Sequence, residues 1–244
     1  MIKLTATLFC FFILPSTLAQ VNLNKAIKKT QISKYYDESC RDFVRKIDLP
    51  EIGDKDFHQI IIIRHGEPAM DKKGWKNRQE AIRYTEMYDS VGVYDFEQKP
   101  ICLRNQDIDT IFTSLLPRAI NTCEKTFEKS IPMQSMSLFN EFERRIFKFP
   151  NIKLPRQFWS VTTKIVWMMG FNHKGIESFS EAKARAKEAA NFLDDNAQIH
   201  GKTVLFAHGF MNRYIKKYLK KSGYKVIDMD GKKYLGAYYF YKIN

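Results

Sequence analysis

Two residues that follow a strongly apolar segment, Arg64 and His65, have side chains suited to phosphoryl transfer. The four isoleucines at 60–63 predict a strand that is buried on both faces, and the carboxyl ends of such strands open onto the ligand crevice of a parallel sheet. A neutral imidazole can act as a nucleophile, and a guanidinium beside it can hold two phosphate oxygens in a planar fork. Gly66 allows the backbone to approach a ligand closely. Because Arg and His also end strands as solvated residues, this motif alone does not decide the function.

Polar residues also follow two other predicted strands. Residues 203–207 form a short apolar run that ends at His208-Gly209, and residues 109–114 end in Thr-Ser with Arg118 four residues further on. If these strands are neighbours of the first, all three carboxyl ends converge on one crevice. The sequence therefore predicts one site that is assembled from three strand ends.

The elements that must position these residues alternate between strands and helices. Helical spacing predicts helices over 79–88, 117–128, 155–170, about five turns from 178, and 211–219. A Pro begins the second of these helices, Gly170 ends the third, and Ser178 and Glu181 form a capping pair at the start of the fourth. Residues 133–139 and 237–241 are further candidate strands. Alternation of this kind predicts an α/β fold, a three-layer αβα sandwich with a mostly parallel central sheet.

The chain divides into three segments. A basic start, an apolar run at 4–14 and small residues at 17–19 predict a signal peptide over residues 1–19 that is cleaved after Ala19, with an uncleaved N-terminal anchor as the alternative. Residues 20–56 are polar and lysine-rich and form a predicted N-terminal extension, and residues 57–244 form one domain. The first apolar run is too short to span a bilayer, and no later run reaches about 18 apolar residues. We therefore expect an exported protein, periplasmic or secreted, without integral membrane association.

The cysteines and histidines indicate no metal site, because the sequence contains neither a Cys-x-x-Cys nor a His-x-x-x-His pair. Cleavage after Ala19 would leave Cys40, Cys102 and Cys123. Cys123 is expected to pack in the core, on the apolar face of its helix. Whether Cys102 and Cys123 form a disulfide stays open, because sequence spacing does not determine a pairing.

The net charge of the 244-residue chain is +13, which predicts a positive field that attracts anions. Phosphorylated substrates fit this field. The lysines are scattered and the aromatic residues follow core periodicity, so we expect no specific nucleic-acid partner. Nothing in the sequence indicates the oligomeric state.

Taken together, the motifs resemble those of the histidine phosphatase superfamily, the phosphoglycerate mutase-like enzymes. Arg64-His65-Gly66-Glu67, the stretch 114–118 with Thr122 after it, and His208-Gly209 match the family's signatures in the family's order. The resemblance covers about residues 57–244. It implies that His65 becomes phosphorylated while its other ring nitrogen donates to a backbone carbonyl, and that Arg64, Arg118 and His208 bind the phosphate.

The resemblance also implies a carboxylic acid that protonates the leaving oxygen. The best match is Glu141, and Glu143 and Glu67 are the alternatives. Glu67 and Glu177 are candidates for contact with the substrate. Ser178, which follows Glu177 in a Gly-x-Glu-Ser turn, is equally well explained as a plain helix N-cap.

Two departures from the family pattern weigh against a mutase: Lys72 occupies a position where many mutase-type members carry Asn, and Pro68 replaces the familiar Ser. The resemblance therefore implies an exported, metal-independent phosphohydrolase that needs no cofactor. Its substrate would be a phosphorylated small molecule or another anionic phosphoester. The alternatives are a phosphomutase, or a catalytically silent protein of the same fold that binds anions or the cell envelope. The residues that select the substrate are expected in the insertions 68–106 and 142–178, so the sequence does not identify it.

Overall fold

The computed structural model describes residues 57–97, 108–127 and 131–243. Within these residues lie eight strands: β1 (Phe57–Arg64), β2 (Trp75–Lys76), β3 (Ile111–Thr113), β4 (Met133–Ser135), β5 (Leu154–Pro155), β6 (Lys202–Ala207), β7 (Lys225–Met229) and β8 (Ala237–Ile243). Six of them form one sheet in the order β4-β3-β6-β1-β8-β7, and β2 pairs with β5 in a small separate ribbon. The strands from β4 to β1 are parallel, whereas β8 is antiparallel to both β1 and β7.

The described residues also form five α-helices, and the helical predictions are confirmed with ends shifted by a few residues. They are α1 (Arg78–Ser90), α2 (Pro117–Thr126), α3 (Arg156–Met168), α4 (Phe179–His200) and α5 (Gly209–Lys221). Gly170, the expected stop of α3, has a φ of 88°, a backbone conformation that favours glycine. None of the helices formed by the described residues combines the length and apolar character that a membrane crossing requires.

The isoleucines of β1 distribute between the two faces of the sheet. Ile60 and Ile62 pack in a cluster with the buried faces of α4 and α5. Ile61 and Ile63 pack in the opposite cluster, which contains Cys123 of α2. Helices therefore cover both faces, and the predicted three-layer α/β sandwich with a mostly parallel sheet is confirmed. Cys123 is buried as expected, and burial raises the pKa of its thiol to about 12.

Part of the predicted element order is wrong. The strand expected over 133–139 ends at Ser135 and is followed by a 3₁₀ turn, Ser137–Phe139, because the neighbouring β3 offers only three residues for pairing. The edge strand β7 and the ribbon of β2 and β5 were not predicted, since two-residue strands and a short strand of mixed polarity give little periodic signal. The predicted signal peptide, the N-terminal extension and Cys102 lie outside the described residues and stay predictions.

The longest described helix, α4, begins with a reciprocal cap. The backbone N–H of Glu181 donates to Ser178 Oγ at 3.2 Å, and the N–H of Ser178 donates to Glu181 Oε2 at 2.7 Å. Ser178 thus satisfies a donor at the helix N-terminus, as the spacing of these two residues predicts. Its hydroxyl therefore has a structural role.

Replacing Ser178 with Ala should lower the free energy of unfolding by about 1 kcal/mol, because the Glu181 N–H loses its acceptor. Urea denaturation of the purified protein measures this change. Ser180→Ala, at the exposed second residue of the helix, is the matched control and should change stability by less than about 0.5 kcal/mol. An equal loss in both variants would contradict the capping role.

Candidate active site

The candidate residues meet where three neighbouring strands end. β1 pairs in parallel with β6 so that Arg64 lies opposite Ala207, and β6 pairs in parallel with β3. The next residues along these strands are His65, His208 and Ser114. The N–H of His65 donates to the carbonyl of Ala207 at 3.0 Å, and the imidazole centroids of His65 and His208 are 5.1 Å apart. The three strand ends therefore do converge on one crevice.

The imidazole of His65 is buried, with 2% of the residue exposed, and one of its nitrogens is engaged. Nδ1 lies 2.7 Å from the carbonyl oxygen of Gly66, which can only accept, so Nδ1 carries the hydrogen and Nε2 keeps its lone pair. Burial and the Arg118 guanidinium hold the pKa of His65 well below its ordinary value, against a smaller opposing effect of the Gly66 hydrogen bond. A neutral His65 with a free Nε2 lone pair is competent as a nucleophile.

The turn after His65 is fixed by Thr122 on α2. The N–H of Gly66 donates to Thr122 Oγ1 at 2.8 Å, and that hydroxyl donates to the carbonyl of Arg118 at 2.6 Å. A Cβ on residue 66 would lie 3.3 Å from Leu235 Cδ2, so the turn packs closely against the chain before β8. These contacts tie the position of His65 to the helix that carries Arg118.

Arg118 is fully buried and only partly satisfied. Its Nη1 lies 3.1 Å from Asp89 Oδ1 and donates to the carbonyl of Tyr88 at 2.8 Å. Its Nε and Nη2 are buried and have no hydrogen-bond partner among the described residues. One edge of the guanidinium is thus anchored, and the other keeps two N–H donors available for an anion.

Arg64 has a similar arrangement at the end of β1. Its Nη1 donates to the carbonyl of Lys232, and its Cζ lies 4.4 Å from the centroid of the Tyr234 ring. Its Nε is buried and lacks a partner in the described part of the chain. A Cβ on Gly209 would lie 3.2 Å from Arg64 Cζ, so the guanidinium packs directly against the first turn of α5.

His208 ends β6 and is fully buried. Its Nε2 lies 2.6 Å from Ser114 Oγ, which also accepts from the N–H of Leu116 at 3.2 Å. When the Ser114 hydroxyl donates to Nε2, the single ring N–H of neutral His208 is on Nδ1. That Nδ1 is buried without a partner among the described residues. Burial and Arg118 lower the pKa of His208 well below its ordinary value, so it is a neutral donor.

Four buried nitrogens around His65 therefore lack partners, and we refer to them as the donor cluster: Arg64 Nε, Arg118 Nε, Arg118 Nη2 and His208 Nδ1. Buried polar groups in folded proteins are nearly always paired, so this concentration requires an explanation. The Tyr234 ring centroid lies 5.6 Å from that of His65 and 4.4 Å from Arg64 Cζ, and the two imidazole centroids are 5.1 Å apart, so Arg64 and both histidines lie close together. A tetrahedral oxyanion could accept from all of them.

Glu141 lies at the same edge of the sheet, in the segment before α3. Its carboxylate accepts from the N–H groups of Phe210 at 3.2 Å, Met211 at 2.9 Å and Phe142 at 3.1 Å. Phe210 and Met211 belong to the first turn of α5, so the carboxylate caps that helix. Glu143, in contrast, is exposed and accepts from the N–H of Glu177 at 3.1 Å.

Glu67 and Glu177, the candidates for substrate contact, are both engaged with basic residues. The carboxylate of Glu67 is exposed and lies 2.6 Å from Lys72 Nζ. Glu177 is paired with Arg185, whose Nη1 also donates to the carbonyls of Leu138 and Asn140. Glu177 therefore helps to anchor the segment that leads to Glu141. Neither residue lines the main cavity described next.

A cavity of about 810 Å³, here called the main cavity, shares Arg64 with the donor cluster, whereas His65, Arg118 and His208 lie behind its wall and do not line it. Arg64, Glu141 and Gly209 lie in its wall together with Tyr88 and Tyr234. Its volume falls within the range of small-molecule sites. Glu143 is absent from this wall and lines a separate small pocket. Among the described residues, no group of three His, Cys, Asp or Glu side chains is placed to hold a metal ion.

Sequence reasoning missed two of the tyrosines that line this wall, Tyr88 and Tyr234. The ring of Tyr88 lies 4.6 Å from Arg118 Cζ, and burial together with Tyr234 raises the pKa of Tyr88 to about 12, so its hydroxyl stays protonated. Tyr234 stacks on Arg64 and on Lys72 from the loop between β7 and β8. Tyr88 closes a predicted helix and could have been found there, whereas no pattern in the sequence marks Tyr234.

Comparison with known protein families gives a match for this chain. The family model described as histidine phosphatase superfamily (branch 1) matches residues 60–229. Among curated proteins, none matches the chain.

Several solved structures are similar at low sequence identity. The open reading frame Rv3214 of Mycobacterium tuberculosis is 16% identical, with a TM-score of 0.41, over 65% of this chain and 77% of that chain. The phosphoserine phosphatase of Entamoeba histolytica in complex with 3-phosphoglyceric acid is 16% identical, with a TM-score of 0.41, over 67% of this chain and 80% of that chain. YhfR of Bacillus stearothermophilus is 21% identical, with a TM-score of 0.40, over 67% of this chain and 80% of that chain.

The family match begins within β1, ends with β7 and covers well over half of the sequence. It includes Arg64, His65, Arg118, Glu141 and His208, so the three strand ends of the site fall inside it. The chain belongs to the histidine phosphatase superfamily, branch 1.

Proposed function

We propose that this protein is a phosphohydrolase that cleaves a phosphomonoester through a phosphohistidine on His65. The observation that carries the proposal is the donor cluster, four buried and unpartnered nitrogens beside a neutral imidazole whose Nε2 lone pair is free. Such donors favour an anion whose charge spreads over several oxygens, as in phosphoryl transfer. Membership of the histidine phosphatase superfamily supports the same chemistry.

In the first step, the Nε2 lone pair of His65 attacks phosphorus while the bond from phosphorus to the leaving oxygen breaks. Arg64, Arg118 and His208 donate to the non-bridging oxygens throughout, because these are the groups whose N–H donors lack partners. Glu141, in its protonated form, donates its proton to the departing oxygen. The alcohol leaves, and His65 carries the phosphoryl group.

In the second step, water attacks the phosphohistidine in line with the P–N bond. The carboxylate of Glu141 accepts the proton of this water, and the electrons of the P–N bond return to His65 Nε2. Inorganic phosphate leaves and the enzyme is restored. Glu141 is preferred to Glu143 because its carboxylate lies in the wall of the main cavity with Arg64.

We also propose that the mature protein is exported after cleavage behind Ala19, as a periplasmic or secreted enzyme. The support is the composition of residues 1–19, a basic start followed by an apolar run and small residues. Glu67 and Glu177 are proposed to act indirectly. Glu67 would neutralise Lys72 at the cavity, and Glu177 would position the Glu141 segment through Arg185.

Replacement of His65 by Ala should reduce hydrolysis of p-nitrophenyl phosphate to background and remove acid-labile phosphate labelling, because no nucleophile remains. The measurements are steady-state turnover and trapping of the phosphoenzyme with labelled substrate. His173→Ala, which removes an exposed histidine, is the control and should keep wild-type activity. Turnover that persists in His65→Ala would exclude the mechanism, and a wild-type protein that binds phosphate without turnover would favour the silent anion-binding alternative.

Arg118→Ala should lower kcat by about 10² to 10³, because two preorganised donors leave the transition state. Arg83→Ala, at an exposed position of α1, removes the same charge elsewhere and should leave kcat unchanged. Circular dichroism checks that the variant without the buried Arg118 remains folded. A loss confined to KM would mean that Arg118 binds ground state and transition state equally, which would contradict the proposed role.

Glu141→Gln should be slow on alkyl phosphates and keep much of its activity on p-nitrophenyl phosphate, since only a strongly basic leaving oxygen needs a proton. The amide oxygen of Gln can still accept from the first turn of α5, so the fold should persist. Pre-steady-state bursts test whether phosphorylation of His65 limits both reactions. Glu143→Gln is the comparison, and a selective loss in that variant instead would assign the acid to Glu143.

A further inference from the structure

The wall of the main cavity is strongly basic. Among the described residues that line it, ten are Lys or Arg and one, Glu141, carries a carboxylate. Two of the ten, Lys72 and Lys216, are paired with Glu67 and Asp228 outside the wall. Within the described part of the chain, the other eight have no carboxylate within 4.0 Å. One phosphoryl group held by the donor cluster would neutralise only a few of these ten positive charges.

Four of the ten basic residues of the wall lie along α5. Its buried face consists of Met211, Asn212, Ile215 and Leu219, whereas Arg213, Lys216, Lys217 and Lys220 lie in the cavity wall. The helix begins directly after His208, so this row of charges leads away from the donor cluster. At a rise of about 1.5 Å per residue, Arg213 and Lys220 are about 10 Å apart along the axis.

A generally lysine-rich surface does not account for this row. The 22 residues of α4 mix acidic side chains, among them Glu188 and Asp194, with basic ones such as Lys187. The 13 residues of α5 contain no Asp or Glu. Lys164 of α3 faces the same cavity from the side opposite α5. Its pKa is lowered by burial and by the positive charges of Arg144 and Arg64, while the carboxylate of Glu141 raises it. Cations are thus crowded around this space, and such crowding is relieved by a ligand with several negative charges.

We propose, on the basis of the phosphohydrolase function above, that the substrate is a small molecule that carries a second phosphate, held by the basic face of α5 at Arg213, Lys217 and Lys220. The scissile phosphate occupies the donor cluster, and the second one lies about 10 Å or more along the helix. Each contact between the second phosphate and a partly exposed basic side chain should strengthen binding a few-fold. Together, these contacts should favour the bisphosphorylated compound about tenfold over its monophosphorylated analogue.

Binding of non-hydrolysable analogues tests this second site without turnover. In titration calorimetry, the wild-type protein should bind hexane bisphosphonate about tenfold more tightly than hexylphosphonate. This ratio comes in addition to a statistical factor of about two, which arises because either end of the bisphosphonate can occupy the donor cluster. In Lys217→Gln/Lys220→Gln this preference should fall towards that statistical factor. The control, Lys187→Gln/Lys221→Gln, removes the same charge from exposed positions outside the cavity and should keep the preference. Equal binding of both ligands by the wild-type protein, or an equal loss in both variants, would overturn the proposal.

Turnover of hexanediol monophosphate and bisphosphate separates this inference from the proposed function. Both release a primary alcohol of similar basicity, so kcat/KM should follow the binding preference. The preference in kcat/KM should be lost in the same variant. Hydrolysis of both compounds without a binding preference would remove the second site and leave the phosphohydrolase standing. A binding preference without hydrolysis would support the second site and overturn the proposed reaction.

Discussion

The parallel pairing of β1 with β6, with Arg64 opposite Ala207, is the constraint on which the site depends. It places His65 beside His208 and lets the His65 N–H donate to the Ala207 carbonyl. A slip of one residue would turn each isoleucine of β1 to the opposite face of the sheet and carry the histidine away from its neighbour. Because helices cover both faces, two packed cores oppose such a slip, and the hydrophobic interior therefore fixes the geometry of the polar site.

The site contains buried polar groups that lack partners and therefore oppose folding. Arg118 is completely buried and Asp89 compensates one of its edges, but its other nitrogens and His208 Nδ1 have no hydrogen-bond partner among the described residues. Burial of unpaired polar groups opposes folding, so an anion that satisfies them should bind and stabilise the folded state together. The pKa values of both histidines are lowered first by burial and then by Arg118, because a buried imidazolium beside a guanidinium is disfavoured. Anion affinity and a neutral nucleophile thus follow from one arrangement.

The fold class could be predicted because short apolar runs at 60–63 and 203–207 alternate with helices such as α4 and α5, whose apolar stripes are periodic. The adjacency of β1 and β6 was expected only from the two His-Gly motifs. Tyr234 could not be predicted, since its contacts depend on how a loop folds back over β1. For Glu177, the sequence places the residue before a helix but does not give the direction of its carboxylate, which Arg185 determines eight residues later.

The cap that Glu141 forms on α5 has a consequence for sequence tolerance. A carboxylate or amide at this position is favoured by folding alone, because the first turn of the helix needs its acceptor. Selection for stable variants would therefore keep Glu141 even in a lineage that had lost catalysis, and would also accept Gln. A comparison of homologues that counts retained residues would therefore overestimate how many of them are active. Stability-based design would overestimate the activity of its products for the same reason. On the proposed mechanism, a Gln at this position marks a protein that keeps the fold but has lost the proton donor for basic leaving groups.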